Sequence, residues 1–327
     1  MRNKSADIDA GKGTISAWIK PRFNLLCQSL TLLRSERFDP IVQDIMATKP
    51  FSVRIFLQDG NPTGIKVVEK SNWTGVGLVF PQALFAEARK RQELQRTGVY
   101  ILVGPGENAQ LPLVYIGEGD PILPRLQQHD SKKDWWTHAI AFTSKDQNLN
   151  KAHIQHLEAR LVQLASLAKR CRLENGNMPN TPTLSEADQA DAESFLEDIL
   201  LCMPIIGYGF LERAPVAKRQ TRRYTMHTKV QKAEGYESSE GFVVMAGSQA
   251  APNERPSIHG YLKELRAALI QEGVFELAKD HYVLTQDYTF ASPSTAAGVL
   301  VGGAMNGREA WKTKDGLTLK QVQDSLG

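Results

Sequence analysis

The sequence predicts an α+β protein whose core is a small mixed or antiparallel sheet flanked by helices. Short apolar segments with strand character alternate with helical segments between residues 51 and 170, and turn-forming residues separate them. The apolar fraction of 42% and the charged fraction of 23% are typical of a soluble globular chain. At 327 residues the chain is too long for one ordinary core, so two or three domains are expected.

Residues 1–48 are predicted to be a partly helical extension, and residues 50–95 a small β-rich unit. The extension has one helical segment, 21–47, which is broken near Pro40. Segments 52–57, 65–68 and 76–80 have strand character, whereas 82–95 is charged and helical. So small a unit buries little apolar surface, so we expect it to pack on the core that follows.

Residues 96–182 are predicted to form that core, in the order strand, strand, helix, strand, helix. The strands are 98–103, 113–116 and 135–143, and the helices begin near Pro121 and Asn148. Residues 183–212 contain an acidic helix, 185–203, that should complete the core and that Ser185 can cap. Its carboxylates lie in the first turns, where the helix dipole favours them, so they need not be metal ligands.

Residues 213–240 are predicted to be a basic linker, and 241–327 a separate small α+β domain. Seven basic residues and no acidic residue lie between Arg213 and Lys232. A solvated linker and an arm that binds phosphates explain this pattern about equally well. Arg219, Arg222 and Arg223 are therefore weak candidates for contacts with nucleic acid.

Charge, cysteines and hydropathy restrict the function only a little. The net charge of +3 permits nucleic-acid binding but does not argue for it. The three cysteines, Cys27, Cys171 and Cys202, are far apart and lack CxxC spacing, so neither a zinc site nor a disulfide framework is expected. No apolar run reaches the roughly 18–20 residues of a membrane span, and no convincing signal peptide is present. We therefore expect a cytoplasmic protein.

Five side chains give the strongest indication of chemistry. Tyr100 and Tyr115 occupy like places on two strands predicted to form a hairpin. Arg125 and His129 are four residues apart on the next helix and so share a face. Glu158 lies at the border of the apolar face of the long helix, where a carboxylate is costly unless it is paired or binds a metal. If Glu158 is considered by itself, a surface glutamate that reaches water from the border of this face explains it. The other four residues favour a functional role.

The tripeptides Gly98-Val99-Tyr100 and Tyr115-Ile116-Gly117, with the later Arg125, His129 and Glu158, resemble the GIY-YIG nuclease family. The resemblance covers residues 96–182. Two departures are a valine in place of isoleucine in the first signature and a long loop between the two signatures. The first is a conservative core substitution, and the second leaves the set of site residues intact.

The resemblance implies a metal-dependent endonuclease that hydrolyses phosphodiester bonds in nucleic acid, with DNA as the preferred candidate substrate. It implies that Glu158 holds one Mg²⁺ or Mn²⁺ ion and that Arg125 contacts the phosphate. It also implies that Tyr100 orients or deprotonates the attacking water, supported by Tyr115, and that His129 shares this task or contacts phosphate. An asparagine beyond the long helix belongs to the implied catalytic set, and Asn175 matches it best, with Asn177 and Asn180 as alternatives.

The last domain has a resemblance of its own. The segments 287–290, 292–294, 296–297, 306–307 and 311–312 resemble bacterial proteins in which a GIY-YIG nuclease domain precedes a small C-terminal domain of unknown function. This implies an architecture and no activity.

Two other functions compete with the endonuclease. One is a non-catalytic nucleic-acid-binding protein whose GIY-YIG fold is idle, and the other is a hydrolase or oxidoreductase centred on the last domain. The second ranks last because no catalytic triad or cofactor motif supports it.

Other histidines and the tryptophans receive structural interpretations. His138 has only a weak place in the site, and His153 and His156 are expected on the surface. Trp135 and Trp136 are expected in one strand, one of them in the core and the other in a domain contact or against a substrate base.

Overall fold

A seven-stranded sheet forms the core of the first half of the chain. In the computed structural model, which describes residues 50–106, 111–146, 148–215, 221–228 and 231–325, its strand order is β1-β2-β3-β6-β4-β5-β7. The strands are β1 (Val53–Leu57), β2 (Lys66–Lys70), β3 (Gly75–Pro81), β4 (Gly98–Gly104), β5 (Leu113–Gly119), β6 (His138–Ser144) and β7 (Arg172–Leu173). All neighbours are antiparallel except β5 and β7. The predicted α+β class is confirmed.

The β-rich unit predicted for residues 50–95 is a continuation of this sheet. Strand β3 pairs with β6 from Gly75↔Ser144 to Pro81↔His138, and most of β3 is buried, as a central strand requires. The helix predicted over 82–95 is wrong in length, because only α1 (Phe85–Ala88) and two short 3₁₀ turns form. Three consecutive cations from Arg89 follow α1, and cations are favoured at the carboxyl end of a helix.

Helices cover both faces of the sheet. Helix α2 (Ile122–Asp130) packs on the face that carries Tyr100 and Leu102, whereas α3 (Lys151–Ala168) and α4 (Glu186–Ile205) pack on the other. The alternation of side chains along β4 separates the two apolar clusters, and all of β4 is buried.

The prediction that His153 and His156 lie on the surface is wrong. Both are buried, because α4 packs against α3 and covers them. The Nε2 atom of His153 lies 3.2 Å from the Asp188 carboxylate, and that of His156 lies 2.7 Å from the Glu193 carboxylate. The acidic face of α4 is therefore used in packing the two helices together.

The last part of the chain contains two further sheets with four helices. One has the order β14-β10-β9-β8 and the other β11-β13-β12. Its elements are β8 (Arg223–His227), β9 (Lys232–Ser238), β10 (Gly241–Val244), β11 (Gln249–Ala250), α5 (Gly260–Gln271), β12 (Phe275–Leu277), β13 (Tyr282–Leu284), β14 (Tyr288–Phe290), α6 (Pro293–Val301), α7 (Gly307–Ala310) and α8 (Leu319–Asp324).

The prediction of a linker over 213–240 is wrong for most of its second half, because β8 and β9 belong to the C-terminal domain. Tyr224, Met226 and Ala233 are buried on one face of these strands. The basic residues between them hide this period-2 alternation in the sequence.

The end of α3 contacts the C-terminal domain. Lys169 Nζ donates to the Gly273 carbonyl at 2.7 Å, Gln286 donates to the Ala168 carbonyl at 3.2 Å, and Arg170 pairs with Glu240 at 3.0 Å. All these elements belong to one unit, Pro50–Gly327. The helix predicted over 21–47 lies outside the described residues. Within the described part of the chain, no helix has both the length and the apolar character of a membrane span.

Candidate active site

The position of Tyr100 depends on a glycine in the neighbouring strand. Tyr100 lies opposite Gly117 in the β4–β5 register and is fully buried. A Cβ atom on residue 117 would lie 2.5 Å from the Tyr100 hydroxyl oxygen. Because residue 117 is glycine, the Tyr100 side chain can pass over β5, and its hydroxyl lies at the outer edge of the sheet. This edge, formed by residues 115–119 of β5, is called the rim below.

The rim itself exists because β5 has a neighbour on its outer side over only a short length. Strand β7 pairs with Leu113 and Val114, and beyond Ile116 no further described strand continues the sheet. Helix α2 on one face and α3 on the other can therefore both place side chains at the same rim. This explains how residues from opposite faces of a sheet can form one site.

Three rings meet at this rim. The Nε2 atom of His129 lies 2.8 Å from the Tyr100 hydroxyl. The centroids of the Tyr115 and His129 rings are 4.6 Å apart, and those of Tyr100 and Tyr115 are 6.3 Å apart. The structure thus brings together the two tyrosines and the histidine singled out in the sequence.

Burial sets the protonation of the Tyr100–His129 pair. Burial, and then the positive charges of Lys133 and Arg125, lower the pKa of His129 to about 4, so this imidazole is neutral at pH 7. Burial, and then Tyr115, raise the pKa of Tyr100, while Arg125 opposes the rise through its charge and a hydrogen bond. Tyr100 therefore keeps its proton at neutral pH, and the neutral His129 beside it is a weak base.

Arg125 and Glu158 complete the cluster. Arg125 is exposed, and its charge acts on the pKa values of Tyr100, Tyr115 and Glu158. Glu158 is partly buried. Burial, and then the Glu118 carboxylate, raise its pKa to about 7, while Arg125 and Lys151 oppose the rise. Helix α3, which carries Glu158, packs against β5, and Glu158 acts on the pKa values of both tyrosines, so this carboxylate is close to the rim, which solvent reaches at Arg125.

Asn175 supports the rim from outside. Its side-chain oxygen accepts from the Ile116 backbone N–H at 3.0 Å, and its side-chain nitrogen donates to the Ile116 carbonyl at 2.7 Å. The Asn175 side chain thus makes the two hydrogen bonds with the Ile116 backbone that a neighbouring strand would otherwise make. Of the three asparagines considered, it is Asn175 that is bonded to β5, where it holds the strand in place.

We expect Asn175→Ala to lower the free energy of unfolding by about 2 kcal/mol, because it leaves both polar groups of Ile116 without partners. Chemical denaturation measures this directly. Asn177→Ala is the matched control, since Asn177 is exposed two residues away and its change should stay within about 0.5 kcal/mol. Equal effects of the two changes would contradict the role given to Asn175.

Three charged residues at the rim were not marked by the sequence pattern. Glu118 directly follows the second signature and accepts two hydrogen bonds from Lys151 Nζ, at 2.5 and 2.6 Å. Lys133 Nζ lies 4.9 Å from the centroid of the Tyr115 ring and 5.7 Å from that of Trp135. In the sequence, only Glu118 could have been noticed, because it directly follows the second signature. Both lysines reach the rim through tertiary packing.

The remaining predicted residues lie elsewhere. Trp135 and Trp136 precede β6 rather than lying in it; Trp136 is buried in the core and Trp135 is partly exposed. His138 begins β6, and its Nδ1 atom lies 3.2 Å from the Thr137 hydroxyl. Arg222 and Arg223 are exposed at the start of β8, and Arg219 lies outside the described residues.

A metal at this rim would have few protein ligands. Among the described residues no group of three or more histidine, cysteine, aspartate or glutamate side chains is placed to hold a metal ion. Glu158 supplies a carboxylate at the rim, whereas both oxygens of the neighbouring Glu118 accept from Lys151. Mg²⁺ is commonly held by one or two carboxylates and keeps several waters, so Glu158 with waters is a donor set that fits it.

The C-terminal domain contains a cavity of about 390 Å³ that is separate from this rim. Its described lining consists of His259, Tyr261, Leu262, Ser294, Ala304, Met305 and Asn306. A serine and a histidine are present, but this lining includes no carboxylate to orient the histidine, so it does not form a catalytic triad.

Comparison with known proteins bears on the C-terminal domain. Residues 224–323 match the family model described as a domain of unknown function, DUF4357. The match begins at Tyr224 in β8, in agreement with the strands found there, and not at residue 241 as predicted. No curated protein and no solved structure matches the chain. The matched part is under a third of the chain and lies outside residues 96–182.

Proposed function

We propose that residues 96–182 form a metal-dependent endonuclease site of the GIY-YIG type, which hydrolyses phosphodiester bonds in DNA. The observation that carries the proposal is the 2.8 Å contact between His129 Nε2 and the Tyr100 hydroxyl at the rim where Arg125 and Glu158 also act. This contact joins residues 29 positions apart and fixes the position of the Tyr100 hydroxyl.

The charges at the rim suit an anionic substrate. A phosphodiester carries a negative charge, and its hydrolysis builds more charge on the oxygens around phosphorus. Arg125 is exposed, and a guanidinium can donate two parallel hydrogen bonds to a phosphate. We assign Arg125 to the phosphate under attack.

Tyr100 and His129 act together on the attacking water. Because burial keeps Tyr100 protonated and lowers the pKa of His129 to about 4, neither side chain is a strong base, and the Tyr100 hydroxyl, held by its contact with His129 Nε2, orients the water. The water oxygen then attacks phosphorus, the bond to the leaving oxygen breaks, and the leaving oxygen takes up the proton that the water loses. Tyr115 packs against His129 and keeps the imidazole in this orientation.

Glu158, with Glu118 beside it, would hold the metal ion. Bound there, Mg²⁺ or Mn²⁺ supplies a Lewis acid that stabilises the negative charge of the reacting phosphate. In the absence of a cation the Glu158 carboxyl has a raised pKa, because burial and Glu118 disfavour its charge. A divalent cation at this position would favour the charged form of Glu158 that burial and Glu118 disfavour.

We expect the wild-type protein to nick or cut plasmid DNA with Mg²⁺ and to lose this activity with EDTA. Arg125→Ala should lower the rate on the order of 10²–10³-fold, since it removes a charge from the reacting phosphate. Gel analysis of plasmid forms measures both. Arg89→Ala is the matched control, because Arg89 is exposed and caps the carboxyl end of α1 rather than lying at the rim.

The competing function, a nucleic-acid-binding protein with an idle fold, gives a different result. The wild type would then bind DNA but leave plasmid, nicked, flapped and single-stranded substrates uncut with either metal. That outcome would overturn the catalytic proposal.

A further inference from the structure

We propose that Lys133 and Lys151 bind the phosphates on either side of the one that Arg125 contacts, so that the substrate strand lies across the rim and supplies at least three successive phosphates. This inference rests on the proposed function and names the part of the substrate that the site recognises. Neither lysine is among the residues on which the resemblance to a nuclease is based.

Lys133 is held in place beside the tyrosines. Its ammonium lies 4.9 Å from the centroid of Tyr115 and 5.7 Å from that of Trp135, and it pairs with Glu174 at 3.7 Å. Its side chain is only 22% exposed. Two aromatic faces and one carboxylate thus fix a cation next to the site, which lowers the entropic cost of binding a phosphate.

Lys151 occupies a position that local rules disfavour. It is the first residue of α3, where the helix dipole favours anions over cations, and the first turn of α3 contains no acidic residue. Glu118 offsets this unfavourable placement with two hydrogen bonds, and the Lys151 side chain remains 53% exposed. A solvent-exposed cation at the amino end of a helix breaks a local rule of helix stability. Such exceptions are expected mainly at functional sites.

The two lysines contact different points along β5. Lys133 lies against the ring of Tyr115, whereas Lys151 contacts the Glu118 carboxylate three positions further along the strand. The Tyr100 hydroxyl passes β5 between these two positions, at Gly117. A substrate strand that follows this stretch of β5 therefore meets one lysine on each side of the Tyr100 hydroxyl.

The salt dependence of binding tests this arrangement. We expect Lys133→Met and Lys151→Met each to reduce the slope of log K against log salt concentration by roughly 0.7 for a single strand, the contribution of one phosphate contact. Anisotropy of a labelled oligonucleotide, measured in a Glu158→Gln background to prevent cleavage, gives the slopes. Lys133→Arg and Lys151→Arg should keep the parent slope, because the positive charge remains.

Lys263→Met is the matched control. Lys263 is also an exposed lysine paired with a glutamate, Glu254 at 3.3 Å, but it lies on α5 of the C-terminal domain. Its slope should equal that of the parent. Parent-like slopes for both methionine variants at the rim, with folding verified by thermal melting, would overturn the inference.

A second measurement separates this inference from the proposed function. Wild-type cleavage of di-, tetra- and octanucleotides should rise steeply between the first two, because a dinucleotide supplies only one phosphate, and then change little. Cleavage that is already complete with dinucleotides overturns the inference but keeps the nuclease. Failure to cleave any DNA overturns the nuclease itself, and the salt slopes still report whether both lysines bind phosphate.

Discussion

Glu158→Gln is expected to abolish cleavage and, at the same time, to raise the free energy of unfolding at pH 8. The loss of activity should be on the order of 10³-fold, because glutamine removes the charge that would hold the metal ion. The gain in stability follows from the burial of Glu158 and from the nearby Glu118, which together raise the pKa of Glu158 to about 7. Loss of function would thus accompany greater stability, as at sites that carry a functional strain.

The sign of the pH dependence follows from the direction of this shift. A carboxyl whose pKa is higher in the folded than in the unfolded state destabilises the protein when it ionises. This cost is absent well below the ordinary pKa of a glutamate, grows toward pH 7 and is complete above it. Since Glu158 is partly exposed, we expect Glu158→Gln to stabilise by about 1–2 kcal/mol at pH 8 and by much less at pH 5.

Denaturant unfolding at the two pH values measures this difference. Glu87→Gln serves as the control, because Glu87 is an exposed acid on α1. It should leave both stability and cleavage nearly unchanged. A Glu158→Gln variant that cuts DNA as the wild type does, or that is less stable at pH 8 than at pH 5 relative to the parent, would contradict the role of Glu158.

Gly117→Ala should lower cleavage about 100-fold while the protein still folds. The new Cβ would lie 2.5 Å from the Tyr100 hydroxyl oxygen, so the phenol must move and its 2.8 Å contact with His129 is lost. The atoms in conflict are at the far end of a side chain, so the stability cost should be moderate, about 1–3 kcal/mol. A misplacement of about 1 Å in a catalytic group is enough to lower a rate 10²-fold.

Gly176→Ala is the matched control for this substitution. Gly176 also lies beside the rim, next to Asn175, but a Cβ there meets nothing within 4 Å. We expect it to leave cleavage unaltered. Tyr100→Phe should reproduce the activity loss of Gly117→Ala, and retention of activity by either variant would show that the Tyr100 hydroxyl is not needed at this position.

Much of the architecture follows from local pattern. The strands around Tyr100 and Tyr115 and the helices that carry Arg125 and Glu158 were predictable, because apolar periodicity and turn residues mark them directly. The shared face of Arg125 and His129 likewise follows from their spacing. Ser185 caps α4, as its position before the helical segment predicts, whereas α3 begins at Lys151 after its cap Asn150 and not at Asn148.

The features that the sequence did not predict correctly all depend on long-range packing. The burial of His153 and His156 depends on α4, which lies more than thirty residues away. The strands β8 and β9 form because Tyr224 and Ala233 find a core in the C-terminal domain, which local charge density does not indicate. Lys133 and Lys151 reach the rim only once the sheet is assembled, so no spacing rule could single them out.

The short length of β7 determines what shape of polymer can approach Tyr100. Since β7 ends opposite Val114, no further described strand covers the rest of β5, and Tyr115 and Glu118 there stay partly exposed while Gly117 between them is buried. A polynucleotide can bind across such an open edge with both of its ends extending into solvent. It need not enter the site by one of its ends. Under the proposed chemistry, cutting in the interior of a polynucleotide is what this topology allows most readily.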